Sequence, residues 1–297
     1  MNVIRNEILE IAFETGGPDE GSPVIMLHGW PDDVRGWRAV ATRLHDYGWR
    51  TILPYLRGFG PTRFLSQDTF RDGRGVALAQ DALDLADAVG LSNFAVVGHD
   101  WGARVAYILA ALFPKRIDAV VGVALAFQPR GAFVLPPFSQ ARRFWYQWFM
   151  MLDGGPAAIA ADPKGFARIQ WDTWSPLGWF DETEFAATAK SFDNPDWTAI
   201  TLHGYRSRWR AEPVDPRYDA LQARLGEVET LSIPTLMIQG GSDYCDEPAS
   251  SERLEHCFTG PYERLLLDET GHFPPREAPE AVAMAIDRHL RKYAARR

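Results

Sequence analysis

Strand-like and helix-like segments alternate along the first 127 residues, and this alternation constrains the fold more than any other feature of the chain. The predicted strands are short apolar runs at 22–29, 49–56, 93–100 and 117–127. Segments with helical spacing of their apolar residues separate them, at 37–47, 75–89 and 101–114. Such alternation is typical of a parallel, doubly wound α/β sheet. Before it, the alternating residues 3–14 predict an edge strand.

The alternation stops after residue 127. Residues 128–217 are aromatic, proline-rich and helical in pattern, and much of the chain's tryptophan, tyrosine and phenylalanine lies there. On composition alone these aromatics favour a well-filled core, and the alternative is an aromatic-walled pocket for an apolar small molecule. The α/β pattern then resumes with a strand at 233–241, a helix at 249–257, a strand at 263–269 and a helix at 277–291. We therefore expect a core domain of residues 1–127 and 218–297, interrupted by a helical lid of residues 128–217.

Composition excludes several classes of protein. Of the 297 residues, 46% are apolar and 24% are charged, as in ordinary globular proteins. The net charge of −8, without a basic run, argues against nucleic acid or an anionic membrane as partner. Only Cys245 and Cys257 occur, too few for a disulfide framework or a four-cysteine metal site. With no apparent signal peptide or membrane span, we expect a cytoplasmic protein without a metal. The oligomeric state stays open, a homodimer included.

A short motif joins the strand at 93–100 to the following helix. It runs Gly98, His99, Asp100, Trp101 and Gly102. The pattern G-x-nucleophile-x-G marks a strained turn that presents a nucleophile beside a helix N-terminus. Most such motifs carry serine at the centre, and here the central residue is aspartate. A generic strand–helix connection is the alternative interpretation of this motif alone.

Further polar residues follow the other predicted strands. Asp243 comes after the strand at 233–241 and His272 after the strand at 263–269. Their order along the chain, with Asp100 first, is that of a nucleophile, an acid and a base. Asp246 lies three residues past Asp243 and competes for the acid role. The segment from His28 to Pro31 follows the first predicted strand of the alternation, where the second donor of an oxyanion hole belongs.

The sequence resembles the α/β-hydrolase fold superfamily, in the aspartate-nucleophile branch of epoxide hydrolases and haloalkane or haloacetate dehalogenases. The resemblance is carried by His28–Pro31, Gly98–Gly102, Gly240–Asp243 and Thr270–Phe273. It implies a mostly parallel eight-stranded sheet flanked by helices, with a helical lid after strand six. It also implies a reaction without a metal or organic cofactor, with the backbone N–H groups of Trp30 and Trp101 as the oxyanion hole. The pocket residues that it implies are His28, Trp30, Trp101, Trp148 and Phe273.

Aspartate at the nucleophile position restricts the reaction. Serine attacking an sp³ carbon would form an ether, which has no carbonyl that water can attack. A carboxylate attacking the same carbon forms an ester, which an activated water can hydrolyse. Asp100 therefore indicates an epoxide or an alkyl halide as substrate.

Two tyrosines in the predicted lid favour the epoxide. Tyr146 and Tyr205 stand in contexts that resemble the two lid tyrosines of epoxide hydrolases, which meet the alkoxide formed on ring opening. The dehalogenase hypothesis comes second. Haloalkane dehalogenases often carry asparagine where this chain has Trp30, and the fluoroacetate enzymes carry arginine where it has Trp101, although Arg104 matches their second arginine. A non-catalytic small-molecule receptor on the same fold is the third hypothesis.

Overall fold

A single mixed sheet organises the protein. The computed structural model describes residues 1–294. Within them the strands are β1 (Asn2–Arg5), β2 (Leu9–Gly16), β3 (Pro23–Leu27), β4 (Arg50–Pro54), β5 (Arg63–Phe64), β6 (Phe94–His99), β7 (Ile117–Val123), β8 (Thr235–Gly240) and β9 (Tyr262–Leu267). The strand order is β1-β2-β4-β3-β6-β7-β8-β9, and the short β5 pairs with β2. All pairings from β4 to β9 along this order are parallel, and those of β2 are antiparallel.

Helices cover both faces of the sheet. They are α1 (Arg35–Asp46), α2 (Gly75–Ala88), α3 (Trp101–Leu112), α4 (Phe138–Arg143), α5 (Trp145–Met151), α6 (Gly155–Ala161), α7 (Pro163–Thr173), α8 (Glu182–Thr188), α9 (Trp197–Trp209), α10 (Asp219–Leu225), α11 (Pro274–Glu277) and α12 (Pro279–Tyr293). Because side chains alternate along a strand, β3 sends Val24 and Met26 into the core under α1 and α12. Ile25 and Leu27 enter the opposite core with α2 and α3. The strands are therefore buried on both sides, which explains their continuous apolar runs.

The mostly parallel sheet predicted from the sequence is confirmed, and two local predictions were wrong. Residues 3–14 form the antiparallel pair β1 and β2 rather than one edge strand. The turn between them is fixed by Asn6, whose side-chain oxygen accepts the N–H groups of Ile8 and Leu9. The predicted helix at 249–257 is instead two short 3₁₀ turns, Pro248–Ser251 and Glu255–Cys257. Eight strands form the main path of the sheet, and the two-residue β5 adds a ninth.

Helices α4 to α10 lie in the chain between β7 and β8, and α4 and α7 contact loops at the carboxyl edge of the sheet. The indole N–H of Trp171 donates to the carbonyl of Pro31 at 2.8 Å. The side-chain amide of Gln140 donates to the carbonyl of Cys245 at 2.7 Å. These bonds hold helical residues over the loops that follow β3 and β8. None of the helices within residues 1–294 has the length and apolar character needed to cross a membrane.

Candidate active site

Asp100 stands at the turn between β6 and α3, in a backbone conformation that few residues adopt. Its φ is +50° and its ψ is −113°. A Cβ at Gly98 would lie 2.0 Å from the carbonyl oxygen of Gly102, and a Cβ at Gly102 would lie 2.1 Å from that of Leu27. Only glycine fits either position, as the sequence pattern predicts. The surrounding packing holds the strained turn, and such strain concentrates at functional sites.

The carboxylate of Asp100 is buried and its two oxygens have different surroundings. Oδ1 accepts the backbone N–H of Trp30 at 2.8 Å. Oδ2 lies 3.6 Å from Nε2 of His272. Burial opposes ionisation of Asp100, but His272 and the Trp30 N–H outweigh it and lower the pKa of the carboxyl below its usual range. The carboxylate is therefore ionised at neutral pH.

His272 links Asp100 to a second buried carboxylate. Its Nδ1 lies 2.9 Å from Oδ2 of Asp243. Oδ1 of Asp243 accepts the backbone N–H groups of Cys245 and Asp246, at 2.8 and 2.9 Å. Asp246 has no ion pair with His272 within the described residues, and burial beside Asp243 raises the pKa of its carboxyl to about 7. The geometry thus brings Asp243, and not Asp246, to the imidazole.

The protonation of His272 depends on both carboxylates. Burial alone would lower the pKa of its imidazole, but Asp243 and Asp100 raise it to about 10. Around Nε2 the described residues offer no hydrogen-bond partner. The resting site is therefore a carboxylate–imidazolium–carboxylate arrangement at neutral pH, with Nε2 directed toward Asp100.

This elevated pKa predicts a pH-dependent contribution to stability. The pKa of His272 is about 10 in the folded protein, above the value of about 6.5 in an unfolded chain. The imidazolium therefore stabilises the fold fully below pH ~6.5, and this stabilisation disappears as the pH rises through about 10. The free energy of unfolding of the wild type should exceed that of His272→Gln at low pH. We expect this difference to decrease by a few kcal/mol as the pH rises from ~6.5 to about 10. Urea titrations at several pH values measure it.

The exposed His256 supplies the control for that measurement. The difference between wild type and His256→Gln should stay small at every pH. A constant difference between wild type and His272→Gln across the same interval would contradict the coupling of His272 to its two carboxylates.

Tyr146 and Tyr205, the two sequence-predicted tyrosines, come together beside Trp30. Their rings lie 5.3 Å apart between centroids and at right angles. Trp30 lies 5.6 Å from the ring of Tyr146 and 5.1 Å from that of Tyr205. Because the backbone N–H of Trp30 also binds Asp100, the two phenols belong to the same buried cluster as the carboxylate.

Each phenol keeps its proton. Burial raises the pKa of Tyr146 and of Tyr205 well above the usual value, and the charge of Asp100 raises both further. The Tyr146 hydroxyl accepts a hydrogen bond from the side-chain amide of Gln147 at 3.0 Å. The oxygen of that amide accepts the indole N–H of Trp209, which fixes its orientation. The O–H of Tyr146 itself lies 3.7 Å from Sγ of Cys245, a weak acceptor, and so can donate to a stronger one.

The other residues predicted to line the pocket make different contacts from one another. Both ring nitrogens of His28 bind backbone groups, the carbonyl of Gly29 and the N–H of Leu56. Phe273 is fully buried and stacks on Trp179 at 4.4 Å. Trp148 donates its indole N–H to the carbonyl of Ala141 and packs on Trp209. Trp101 lines a cavity beside α3 and packs against Tyr205 at 5.3 Å.

Two residues that contact His272, one at its ring and one at its backbone, were not predicted from the sequence. Trp174 packs edge-on against His272 with 4.8 Å between ring centroids. Ser175 accepts the backbone N–H of His272 at 2.8 Å and donates to Glu277 at 2.7 Å. Both belong to the loop after α7, and no local pattern marks a residue whose partner lies about 100 positions away. Over residues 1–294, no three or more His, Cys, Asp or Glu side chains are arranged to hold a metal ion.

Comparison with known proteins agrees with this architecture. Residues 22–279 match the family model of the alpha/beta hydrolase fold. Epoxide hydrolase A of Mycobacterium tuberculosis is 28% identical, and the alignment covers 92% of this chain and 91% of that protein. A solved Klebsiella pneumoniae structure, provisionally described as an epoxide hydrolase, is 38% identical with a TM-score of 0.90, covering 98% of this chain and 97% of that one. Epoxide Hydrolase A from Mycobacterium thermoresistibile has the same fold at 22% identity and a TM-score of 0.78, covering 99% of each chain.

The matched family model spans most of the chain, and the similarity to relatives described as epoxide hydrolases extends over nearly its full length. The chain therefore belongs to the α/β-hydrolase fold family, among hydrolases related to epoxide hydrolases.

Proposed function

We propose that this protein hydrolyses epoxides to vicinal diols through a covalent alkyl ester on Asp100. The observation that carries the proposal is a buried carboxylate, one oxygen held by the Trp30 N–H and the other facing His272, with two buried phenols packed on Trp30. The relatives described as epoxide hydrolases support the same reaction class.

In the first step, Oδ2 of Asp100 attacks a ring carbon and the bond from that carbon to the ring oxygen breaks. Oδ2 is assigned because Oδ1 is already bound to the Trp30 N–H. The ring oxygen leaves as an alkoxide and takes a proton from Tyr146 or Tyr205. A neutral phenol can donate in a buried pocket without the cost of a buried cation. The product of this step is an ester between the substrate and Asp100.

Ester formation also activates the base. Asp100 is one of the two carboxylates that raise the pKa of His272. Esterification removes its negative charge, so the pKa of the imidazole falls and its proton passes to the tyrosinate left by the first step. This transfer restores the phenol and leaves a neutral imidazole that can accept a proton from water. Resting His272 is thus a cation beside a nucleophile, and the same residue becomes a base once the nucleophile has been consumed.

In the second step, water deprotonated by His272 attacks the carbonyl carbon of the Asp100 ester. The oxyanion forms on Oδ1, which already lies at the N–H of Trp30. The N–H of Trp101 is a second donor, because it begins α3 and has no partner within that helix. Collapse of the intermediate breaks the bond to the alkyl oxygen, which takes a proton from the imidazolium and leaves as the diol. The carboxylic acid that remains on Asp100 gives its proton to His272, which restores the carboxylate and the imidazolium. Asp243 holds the imidazole with Nε2 toward the reaction space.

Residues 128–217 form the lid of this site in our proposal. They supply both phenols, and Trp171 and Ser175 attach them to the loops after β3 and β9. The resulting aromatic enclosure excludes water from the alkylation step, which strengthens the electrostatic interactions there.

The acid role of Asp243 leads to a paired prediction. We expect Asp243→Asn to slow hydrolysis of the ester by about 10²–10⁴-fold. A neutral amide neither fixes the tautomer of the His272 ring nor stabilises the imidazolium that forms when the ring takes a proton from water. Asp246→Asn should change the rate only a few-fold, since Asp246 forms no ion pair with the imidazole among the described residues. Single-turnover kinetics separates the ester hydrolysis rate from alkylation. A larger defect in Asp246→Asn would reassign the acid.

The reaction class itself is tested by a paired assay of diol formation and halide release on matched panels of epoxides and alkyl halides. The proposal expects diol formation to exceed halide release by orders of magnitude. Halide release as the faster activity would overturn it.

A further inference from the structure

Three consecutive backbone N–H groups of the loop that carries the base donate to side chains. The carboxylate of Glu277 on α11 accepts the N–H of Gly271 at 2.6 Å and that of Phe273 at 2.8 Å. Between them, the N–H of His272 donates to Ser175 at 2.8 Å, and the Ser175 hydroxyl donates in turn to Glu277 at 2.7 Å. One carboxylate and one hydroxyl therefore hold this loop.

The carbonyl of His272 is held as well. Nε2 of His99 lies 2.7 Å from the carbonyl oxygen. Burial lowers the pKa of His99 to about 4, so its ring is neutral at neutral pH, and its proton is on Nε2 because a carbonyl can only accept. Both polar groups of the His272 backbone are thus fixed. A rotation of this backbone that turns the imidazole away from Asp100 therefore breaks hydrogen bonds on both sides.

Ser175 comes close enough to bind because residue 271 is glycine. A Cβ at Gly271 would lie 2.2 Å from Oγ of Ser175. Any larger residue at this position would push the serine out of hydrogen-bonding distance of the His272 N–H. The requirement for glycine here thus comes from the close approach of one side chain.

The residue before Ser175 bonds to the loop that carries the acid. The carbonyl of Trp174 accepts the backbone N–H of Tyr244 at 3.0 Å, and Tyr244 directly follows Asp243. The ring of Trp174 packs edge-on against His272. We call Trp174 and Ser175 the latch. Two neighbouring residues of the proposed lid thus bond to both loops whose side chains form the acid–base pair.

The burial of the site requires the lid to move when a substrate enters. Asp100 is 4% exposed, and His272 is fully buried. A substrate therefore reaches Asp100 only after part of the covering segment has moved aside, as active-site lids do. A movement of the latch takes with it the acceptor of the His272 N–H.

We propose that Ser175, supported by Glu277, is a positioning residue for the base, and that the lid completes the acid–base pair only when the latch is docked. This inference rests on the proposed function. It assigns the latch to the second step of the reaction. Alkylation uses Asp100, which the Trp30 N–H holds independently of the latch, whereas ester hydrolysis needs His272 in the position that Ser175 sets.

Single-turnover kinetics of Ser175→Ala measures the two steps separately. We expect ester hydrolysis to slow by roughly 10–100-fold, because a displacement of a catalytic group by up to about 1 Å costs this much. Alkylation should change by less than about twofold, since Asp100 and the two phenols keep their contacts. Glu277→Gln should have the same selective effect, because its amide nitrogen cannot accept a backbone N–H.

Thr173→Ala and Glu280→Gln are the matched controls. Thr173 is exposed, and its hydroxyl donates to a carbonyl of its own helix, that of Ile169. Glu280 is exposed at the start of α12. Both controls should carry out both steps at the wild-type rates. Equal slowing of the two steps in Ser175→Ala, or unchanged ester hydrolysis, would overturn the positioning role.

Hydrogen exchange tests the dependence on lid docking. Gln140 of the proposed lid donates to the carbonyl of Cys245, in the loop that carries the acid. Gln140→Leu removes this bond, and we expect the amides of Gly271–Phe273 to exchange about three- to tenfold faster in this variant. Amides within α3 should exchange as in the wild type. Unchanged exchange at Gly271–Phe273 would show that the base loop does not depend on the lid.

An NMR titration of labelled histidine distinguishes this inference from the proposed function. His272 should titrate at about 10 in the wild type, and about one pH unit lower in Ser175→Ala, where the ring is held less closely against its two carboxylates. If no epoxide forms an ester with the wild type but the pKa falls in this way, the positioning role stands and the proposed function fails. If epoxides are hydrolysed and the pKa and both rates of Ser175→Ala equal those of the wild type, the positioning role alone fails.

Discussion

Incubation of the His272→Gln variant with an epoxide should leave the mass of the substrate on the peptide that contains Asp100. Glutamine cannot deprotonate water as the imidazole does, so hydrolysis of the ester stops while its formation continues. The attacking oxygen does not depend on a bond from His272, because Nε2 lies 3.6 Å away. Digestion and mass spectrometry at successive times should find the adduct accumulating to one per chain.

Asp100→Asn is the companion variant. Its amide is a poor nucleophile toward alkyl carbon, so we expect no adduct and a loss of turnover of about 10⁴-fold or more. Asparagine is close in volume and shape to aspartate, so the packing that holds φ at +50° and ψ at −113° is unchanged, and its amide oxygen can still accept the Trp30 N–H. A folded Asp100→Asn protein is therefore expected, and circular dichroism checks it. Turnover by His272→Gln with no adduct on this peptide would rule out the covalent pathway.

The sheet was predictable because its central strands are buried on both faces. A strand in that environment needs apolar residues at every position, so β3, β6 and β7 are visible in the sequence without any knowledge of their partners. The hairpin at β1 and β2 was not visible, because the alternation continues across Asn6. Only the side-chain bonds from Asn6 to two backbone N–H groups create the turn.

The helix expected at 249–257 is an error of the opposite kind, since one continuous element was predicted where the chain forms two separate turns. Its polar and apolar residues fit a helical period, but Arg253 has a φ of +58° and breaks the segment into two turns. Arg264 on β9 donates to Ser251 and to the carbonyl of Pro248, which stabilises the first turn. These bonds come from a neighbouring strand, and local periodicity contains no information about them.

The parts of the candidate site that follow strands could be predicted, since the carboxyl ends of parallel strands meet at one edge of the sheet. Asp100, Asp243 and His272 follow β6, β8 and β9 and converge for that reason. The contacts of Trp174 and Ser175 could not be predicted. They depend on how the helices between β7 and β8 pack, and residues of that segment meet core residues far away in the chain.

Replacement of both tyrosines should nearly abolish epoxide opening. An alkoxide formed in a buried pocket is costly unless a donor meets it. Tyr146 and Tyr205 are neutral donors there, because burial raises the pKa of each phenol. We expect Tyr146→Phe and Tyr205→Phe each to slow alkylation by roughly 10–10³-fold, the range of a lost general acid or transition-state hydrogen bond. Stopped-flow measurement of the alkylation phase isolates this step.

Tyr55→Phe is the matched control, since Tyr55 is another buried tyrosine that packs in the core against the opposite face of the sheet from α2 and α3. The Tyr55→Phe variant should undergo alkylation at the wild-type rate.

The leaving group gives a second way to separate epoxide opening from halide displacement, because bromide departs as a weak base and needs no proton. Any side reaction with alkyl bromides should therefore survive in the double variant, whose Asp100 and Trp101 are unchanged. If both single variants open epoxides at the wild-type rate, the tyrosines only fill space, and halide displacement becomes the better hypothesis for the reaction at Asp100.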